Sequence, residues 1–167
     1  FLIMGTIKLH IDDFEENDYL LIAIHTTLED YRLAYFLNKY LGVQLQKQEE
    51  DIHIQVKENQ SSFSLYSFYD KEQYVTWNLV QNKNEIVIQP KEKSLNNLFS
   101  ENLQAIETTI YLLPELKKVD YFLKIENLTE QENLFIETLK KLKTIEKISL
   151  VYNIDTNSIK NKNNLIF

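Results

Sequence analysis

Apolar and polar residues alternate along several stretches of this chain, and the period of that alternation predicts its secondary structure. Residues 6–11 and 52–56 alternate with a period of two, which indicates strands with one buried face. Residues 19–25 are apolar on both faces, so we expect a central strand that is covered on both sides. The other predicted strands span residues 62–69, 73–81, 85–89, 106–112, 121–125 and 148–154. Residues 106–112 also fit a helix, and the pattern leaves that alternative open.

The first predicted helix follows the central strand. Thr26 and Glu29 have the spacing of a capping box, in which two side chains bond the free backbone N–H groups at a helix start. Gly42 stands where a left-handed residue would end the helix. The apolar stripe at helical spacing consists of Leu33, Phe36, Leu37, Tyr40 and Leu41.

A second helix is predicted from Glu130 to about Lys143, after another capping box at Thr129 and Glu132. Its inward-facing residues are expected to be Phe135, Ile136, Leu139 and Leu142. The strand after it is expected to alternate, with one face formed by Ile148, Leu150, Tyr152 and Ile154.

These elements predict one α+β domain over residues 1–154. We expect a mixed, mainly antiparallel sheet with two principal helices packed on it, in which two strand–helix–strand units flank an antiparallel meander. Residues 90–104 are predicted to form a loop. Residues 155–167 form a polar C-terminal tail, which we expect to be mobile unless a partner holds it.

Composition restricts the classes of function. The 167 residues include no cysteine, which excludes disulfides, thiol nucleophiles and thiolate metal ligands. With Gly5 and Gly42 as the only glycines, glycine-rich phosphate loops and the nucleophile elbow of α/β-hydrolases are excluded. The three histidines lack metal-binding spacing, and a net charge of −7 disfavours nucleic-acid binding. Because no apolar run is long enough to span a membrane, we expect a cytoplasmic protein. Because the sequence contains no glycine-rich phosphate loop and no metal-ligand spacing, we expect that it uses no cofactor.

One motif surrounds Pro114, which is one of two prolines in the chain. Proline fixes its own φ and favours an extended residue before it, so one element is expected to end at Leu113 and the next to begin near Val119. The segment LPELKKVDY, residues 113–121, resembles the signature of the IPExxxVDY family, with leucine in the place of isoleucine. Residues 22–38 also resemble the N-terminal half of that family. The resemblance implies a small cytoplasmic protein of unassigned function, and it implies no catalytic residue, cofactor or substrate.

His25 is the first candidate ligand-binding residue. It ends the buried strand just before the first helix, and ligands of α/β proteins often lie at such strand ends, near free helix amides. The alternative is a packed histidine that bonds a neighbouring carbonyl oxygen.

A second candidate cluster combines Arg32, the only arginine, with Glu115, Asp120 and Tyr121. Arginine binds carboxylates through two parallel hydrogen bonds, and Asp120 is expected to meet Arg32 or Lys124. The alternative is that these residues form structural ion pairs or a charged surface without chemistry.

The sequence therefore favours a non-enzymatic binding or scaffold protein that acts through protein–protein contacts or homodimerisation. No catalytic residue and no metal ligand are predicted. The alternative is a small-ligand-binding protein or unfamiliar enzyme with a pocket near His25, Arg32 and Asp120. The discriminating observation is whether these three side chains converge on a concavity that is open to solvent.

Overall fold

The computed structural model describes residues 19–57, 59–88, 105–127 and 132–167. Within these ranges the chain forms ten β-strands and two α-helices. In chain order they are β1 (Tyr19–Thr26), α1 (Asp30–Leu41), β2 (Gln46–Lys47), β3 (Ile52–Val56), β4 (Asn59–Phe63), β5 (Leu65–Asp70), β6 (Val75–Gln81), β7 (Lys83–Ile88), β8 (Ile106–Tyr111), β9 (Tyr121–Glu126), α2 (Glu132–Lys143) and β10 (Ile148–Ile154). Short 3-10 helices lie at Pro114–Leu116, Thr156–Ser158 and Lys162–Leu165.

The described strands form a six-stranded sheet and two hairpins. The sheet has the order β10–β1–β9–β6–β5–β2, and the hairpins pair β3 with β4 and β7 with β8. Every pair among them is antiparallel. The predicted α+β class, with a mainly antiparallel sheet and two principal helices, is therefore confirmed. The alternative helix at 106–112 is wrong, because β8 occupies residues Ile106–Tyr111.

Both helices pack on one face of the sheet, which we call face 1. Helix α1 buries Leu33, Ala34 and Leu37, and α2 buries Leu142. The sheet residues beneath them are Ile22, Ile24, Tyr66, Val75, Trp77, Leu79, Tyr121, Leu123, Ile125 and Val151. Because full burial of a large aliphatic side chain contributes about 1.5–3 kcal/mol, this layer is a main source of stability.

The opposite face of the sheet, face 2, is covered mostly by irregular chain. Its cover consists of the connection 112–119 between β8 and β9, the segment 155–167 after β10, and part of β4. The buried side chains that these segments contribute are Phe63, Leu112, Leu113, Val119, Ile159 and Leu165. The structure thus differs from the mobile tail expected at 155–167. Ile159 and Leu165 are two apolar residues in that polar segment, and their burial holds it against the sheet.

The start of α1 corrects the predicted capping box. Thr26 is the last residue of β1, and its hydroxyl donates to the carbonyl of Lys147 at 2.7 Å and accepts from the N–H of Leu28 at 3.1 Å. Glu29 is the N-cap residue, and its side chain caps no backbone group. The end of α1 is as predicted, because Gly42 adopts a left-handed conformation with φ 72° and bonds the carbonyl of Asn38.

In α2, the predicted inward position of Ile136 is wrong, because its side chain is 48% exposed. The inward positions have helical spacing and are Phe135, Thr138, Leu139 and Leu142. The predicted strand at 6–11, the loop at 90–104 and the capping side chains of Thr129 and Glu132 lie outside the described residues.

The predicted alternation of β10 is right for Leu150, Tyr152 and Ile154, which share face 2, and wrong for Ile148, which lies on face 1. Val151 is buried on face 1, whereas Leu150 and Tyr152 are exposed on face 2. β10 lies at the edge of the sheet, where the segments that cover face 2 do not reach these two side chains. A β-bulge shifts the pairing between His25 and Thr26 of β1, which turns Ile148 toward the helices.

Asn82 fastens the covering connection of face 2 to the sheet. It lies between β6 and β7 with no exposed surface. Its side-chain amide donates to the carbonyls of Leu116 and Val119, each at 2.9 Å, and its oxygen accepts from the N–H of Leu113 at 2.9 Å. One buried amide therefore satisfies three backbone groups of a connection that makes few hydrogen bonds of its own.

Asn82→Ala is expected to lower the free energy of unfolding by about 3 kcal/mol, because it leaves buried backbone groups without partners. Urea denaturation followed by circular dichroism measures the change. Asn133→Ala, on the exposed side of α2, is the matched control and is expected to stay within about 0.5 kcal/mol. Equal effects of the two substitutions would contradict the role of Asn82.

Candidate functional site

The residues of the 113–121 motif form the corner of the sheet where β1 and β6 end and β9 begins. Pro114 begins a 3-10 helix, and Val119 is buried on face 2. Asp120 then accepts two hydrogen bonds, from the N–H of Thr26 at 3.0 Å and from the ammonium group of Lys83 at 2.6 Å. Its carboxylate thus joins the end of β1 to the start of β7.

Tyr121 faces the opposite side of the sheet from its neighbour Phe122. Its hydroxyl donates to the carbonyl of Leu28 at 2.9 Å, just before α1. Burial, together with the nearby carboxylates of Asp30 and Asp120, raises the pKa of Tyr121 far above its usual range. The phenol therefore stays protonated, and it acts as a hydrogen-bond donor that holds the strand-to-helix turn.

A small cavity lies at this corner, and we call it the motif cavity. It is lined by Thr26, Thr27, Leu28, Gln81, Lys83, Asp120 and Tyr121. Its volume is about 120 Å³, whereas pockets for drug-sized ligands measure roughly 300–1,000 Å³. The motif cavity has room for a few water molecules beside the ion pair of Lys83 and Asp120, not for an ordinary substrate.

Glu115 binds the segment 155–167. Its carboxylate accepts from the N–H groups of Lys160 and Asn161, at 2.8 and 2.9 Å, and from the side-chain amide of Asn161 at 2.7 Å. Burial raises the pKa of Glu115, but these hydrogen bonds outweigh burial and leave the pKa below its ordinary value of 4.5. The carboxylate is therefore a structural anchor for the cover of face 2.

His25 and Arg32 lie away from the motif cavity, and neither side chain lines it. His25 is on face 2, with its Nε2 3.3 Å from the hydroxyl of Tyr152 in β10. Arg32 lies on the exposed side of α1. Because Lys83 is the ion-pair partner of Asp120, the expected meeting of Asp120 with Arg32 or Lys124 is not observed. His25, Arg32 and Asp120 therefore do not converge on one concavity.

Lys124 is a buried charge that the sequence reasoning considered only as a partner of Asp120. It is 3% exposed on face 2, bonds Glu126 at 2.6 Å and donates to the carbonyl of Leu165 at 2.8 Å. The rings of Tyr19 and Phe167 lie 5.0 and 4.7 Å from its ammonium group. The position of Lys124 within the otherwise apolar strand YFLKI is a sequence signal for a buried charge. Asn82 and Lys83 stand in a polar stretch, where nothing in the sequence marks them as buried or paired.

A wider groove, of about 760 Å³, lies between β2, β3 and the end of the described chain. Its lining residues are Gln46, Lys47, Gln48, Glu49, Glu50, Asp51, Ile52, His53, Leu65, Ile166 and Phe167. None of the five predicted site residues belongs to it. No group of His, Asp and Glu among the described residues could hold a metal ion, and no described helix is long and apolar enough to cross a bilayer.

The outer edge of β10 carries exposed apolar side chains beside His25, one of the predicted site residues. None of the described strands pairs with it. Leu150 and Tyr152 are 52% and 37% exposed there, and His25 lies beside Tyr152. We call the backbone of Ile148–Ile154, together with the side chains of His25, Leu150 and Tyr152, the β10 edge.

Comparisons with protein-family models, with curated proteins and with solved structures find no match to this chain. The resemblance of residues 113–121 to the IPExxxVDY signature therefore stays a prediction.

Asp120→Ala is expected to lower the free energy of unfolding by about 2 kcal/mol, because the part-buried N–H of Thr26 loses its acceptor. Lys83→Ala is expected to cost less than about 1 kcal/mol, since the ion pair is partly open to solvent. Urea denaturation of both variants and of the double variant measures these costs and their coupling. An Asp120→Ala variant as stable as the unaltered chain would show that this carboxylate does not hold the corner.

Acid is expected to release the segment 155–167. Because the folded-state pKa of Glu115 is lowered, its charge stabilises the segment above pH 4.5, and that stabilisation is lost as pH falls through the lower pKa. Hydrogen exchange of the amides of Lys160 and Asn161, corrected for intrinsic rates, measures the release. Glu115→Gln is expected to weaken protection at neutral pH and to flatten its pH dependence, and an unchanged pH profile in this variant would rule out Glu115 as the anchor.

Proposed function

We propose that this protein is a non-enzymatic cytoplasmic binding domain that acts as a scaffold by associating with a second copy through the β10 edge. One observation carries the proposal: β10 is a seven-residue edge strand, ISLVYNI, with no charged residue and no proline. A strand of this kind, whose outer edge no described strand pairs, is a template for pairing with another chain.

The two edges of the sheet differ in a way that supports this proposal. Natural sheets protect an edge by shortening the strand or by placing charges on it. β2 follows that rule, since it has two residues and one of them is Lys47. β10 does not follow it, and its Leu150 and Tyr152 side chains are exposed on face 2.

The use of the polar residues also favours binding over catalysis. Glu115, Asp120 and Tyr121 each bond backbone groups of the fold. The alternative, a small-ligand protein or enzyme with a pocket near His25, Arg32 and Asp120, has less support because these side chains lie apart. The absence of cysteine is compatible with a reducing cytoplasm, and the net charge of −7 argues against a nucleic-acid partner.

Leu150→Lys is expected to weaken self-association at least tenfold, or about 1.4 kcal/mol, because it places a charge in the proposed contact. Sedimentation equilibrium over a range of protein concentrations measures the dissociation constant. Ile136→Lys on α2 is the matched control, since it starts from a similarly exposed apolar residue, 48% against 52%, and changes the net charge equally.

The control variant is expected to associate like the unaltered chain. Because Leu150 is exposed in the single chain, its replacement should leave the thermal unfolding temperature of the monomer nearly unchanged. A chain that stays monomeric at every concentration, or equal weakening by both lysine variants, would overturn the proposal.

A further inference from the structure

We infer that two copies pair β10 with β10 in one antiparallel register, centred on Val151. This inference rests on the proposed self-association and specifies its geometry. A two-fold axis through Val151, perpendicular to the sheet, would join the two six-stranded sheets edge to edge. Face 2 of one copy would then continue into face 2 of the other.

The two-fold axis restricts which registers are allowed. Directly opposed residues must lie on the same face, because side chains alternate along a strand. Leu150 and Tyr152 share face 2 with Ala23, to which Tyr152 is paired, and Val151 is on face 1 with its partner Ile24. The axis must therefore pass through a residue, and the central candidates are positions 150, 151 and 152.

The register centred on Val151 pairs the middle of the strand, residues 149–153, with chemically matched partners. It sets Leu150 opposite Tyr152 of the second copy, so that the exposed apolar side chains cover each other on face 2. It sets Ser149 opposite Asn153 of the second copy, which brings exposed polar side chains together on the other face. The five residues from Ser149 to Asn153 then have a partner, whereas the bulge puts Ile148 on the opposite face from Ile154.

The neighbouring registers are less well matched. An axis through Leu150 sets Ser149 opposite the apolar Val151 of the second copy. It also leaves Asn153 and Ile154 without opposite residues in the partner strand. An axis through Tyr152 sets Val151 opposite Asn153. Both place a polar side chain against a buried apolar one, which is unfavourable without a hydrogen-bond partner.

Charge at the two ends of β10 favours antiparallel pairing of two copies. Lys147 precedes the strand and Asp155 follows it, and both are exposed. Antiparallel pairing of two copies brings the lysine end of each strand near the aspartate end of the other. Two chains of net charge −7 repel each other at long range, so a neutral strand flanked by opposite charges is a suitable place for them to meet.

The absence of cysteine allows a direct test with the full-length chain. Two variants, Ser149→Cys and Asn153→Cys, are prepared separately, mixed in equal amounts and exposed to a mild oxidant. In the inferred register, cysteines at these positions face each other at about 4.5–5.5 Å between Cβ atoms, close to the range for a disulfide. Cysteines at the same position in two copies lie about 13 Å apart, because four residues separate them along the strand.

The mixture is expected to form a disulfide-linked dimer, in up to about half of the dimers because a symmetric dimer combines its subunits at random. Each variant alone is expected to form almost none. Sedimentation of each reduced variant shows whether it still associates. This measurement distinguishes a dimer that pairs in another register from a variant whose cysteine substitution prevents association. Ser149 donates a hydrogen bond to the carbonyl of His25, so its replacement is checked in this way.

The outcomes distinguish the inference from the proposal on which it rests. Reduced variants that sediment as dimers, but give no cross-link on mixing, overturn the register and leave self-association intact. Cross-linking of each variant alone to the same extent as the mixture also overturns the register. Variants and unaltered chain that are monomeric throughout overturn both.

Discussion

The fold depends on a sheet whose central strands are apolar on both faces. Leu21, Ile22, Ala23 and Ile24 of β1 are all fully buried, and β9 beside it is buried in the same way. The two helices cover face 1 only, so face 2 needs a second cover. That cover is irregular chain, whose backbone groups find few partners within it, and it therefore requires polar side chains that hold it to the sheet and hold its segments to each other. Asn82, Glu115 and Lys124 are those side chains.

This requirement explains why the residues of the 113–121 motif have a structural role in this chain. The proline begins the turn, the glutamate holds the segment 155–167, and the aspartate holds the end of β1. A catalytic carboxylate needs a free position toward a substrate, whereas these two accept hydrogen bonds from the chain itself. The motif thus holds β1 and the segment 155–167 in place at one corner of the sheet, beside a cavity too small for an ordinary ligand.

Local signals allowed the central strand, most of the inward face of α1 and its end at Gly42 to be predicted from the sequence, although Tyr40 of the predicted stripe is exposed. The errors arose where distant residues decide the outcome. Thr26 has the right spacing for a helix cap, but its hydroxyl donates a hydrogen bond to the carbonyl of Lys147, far along the chain. This bond holds Thr26 at the end of the strand. Lys124 is buried because Leu165 and Phe167 return to cover it. Of the predicted site residues, Asp120 and Tyr121 line the same cavity, whereas Arg32 lies apart from it on the exposed side of α1. The helical spacing of apolar residues does not show which distant residues the polar side of a helix will approach.

The contrast between the two sheet edges follows from how the covers are built. The described chain that covers face 2 packs against β1, β5, β6 and β9, and it reaches β10 only at Ile154. Within the described part of the chain, no strand pairs with the far side of β10. A neutral strand of seven residues at such a position is a hazard for a chain that stays alone, since any similar strand can pair with it. Retaining it is reasonable if one partner covers it specifically, and the matched order of residues about Val151 gives a second copy that specificity.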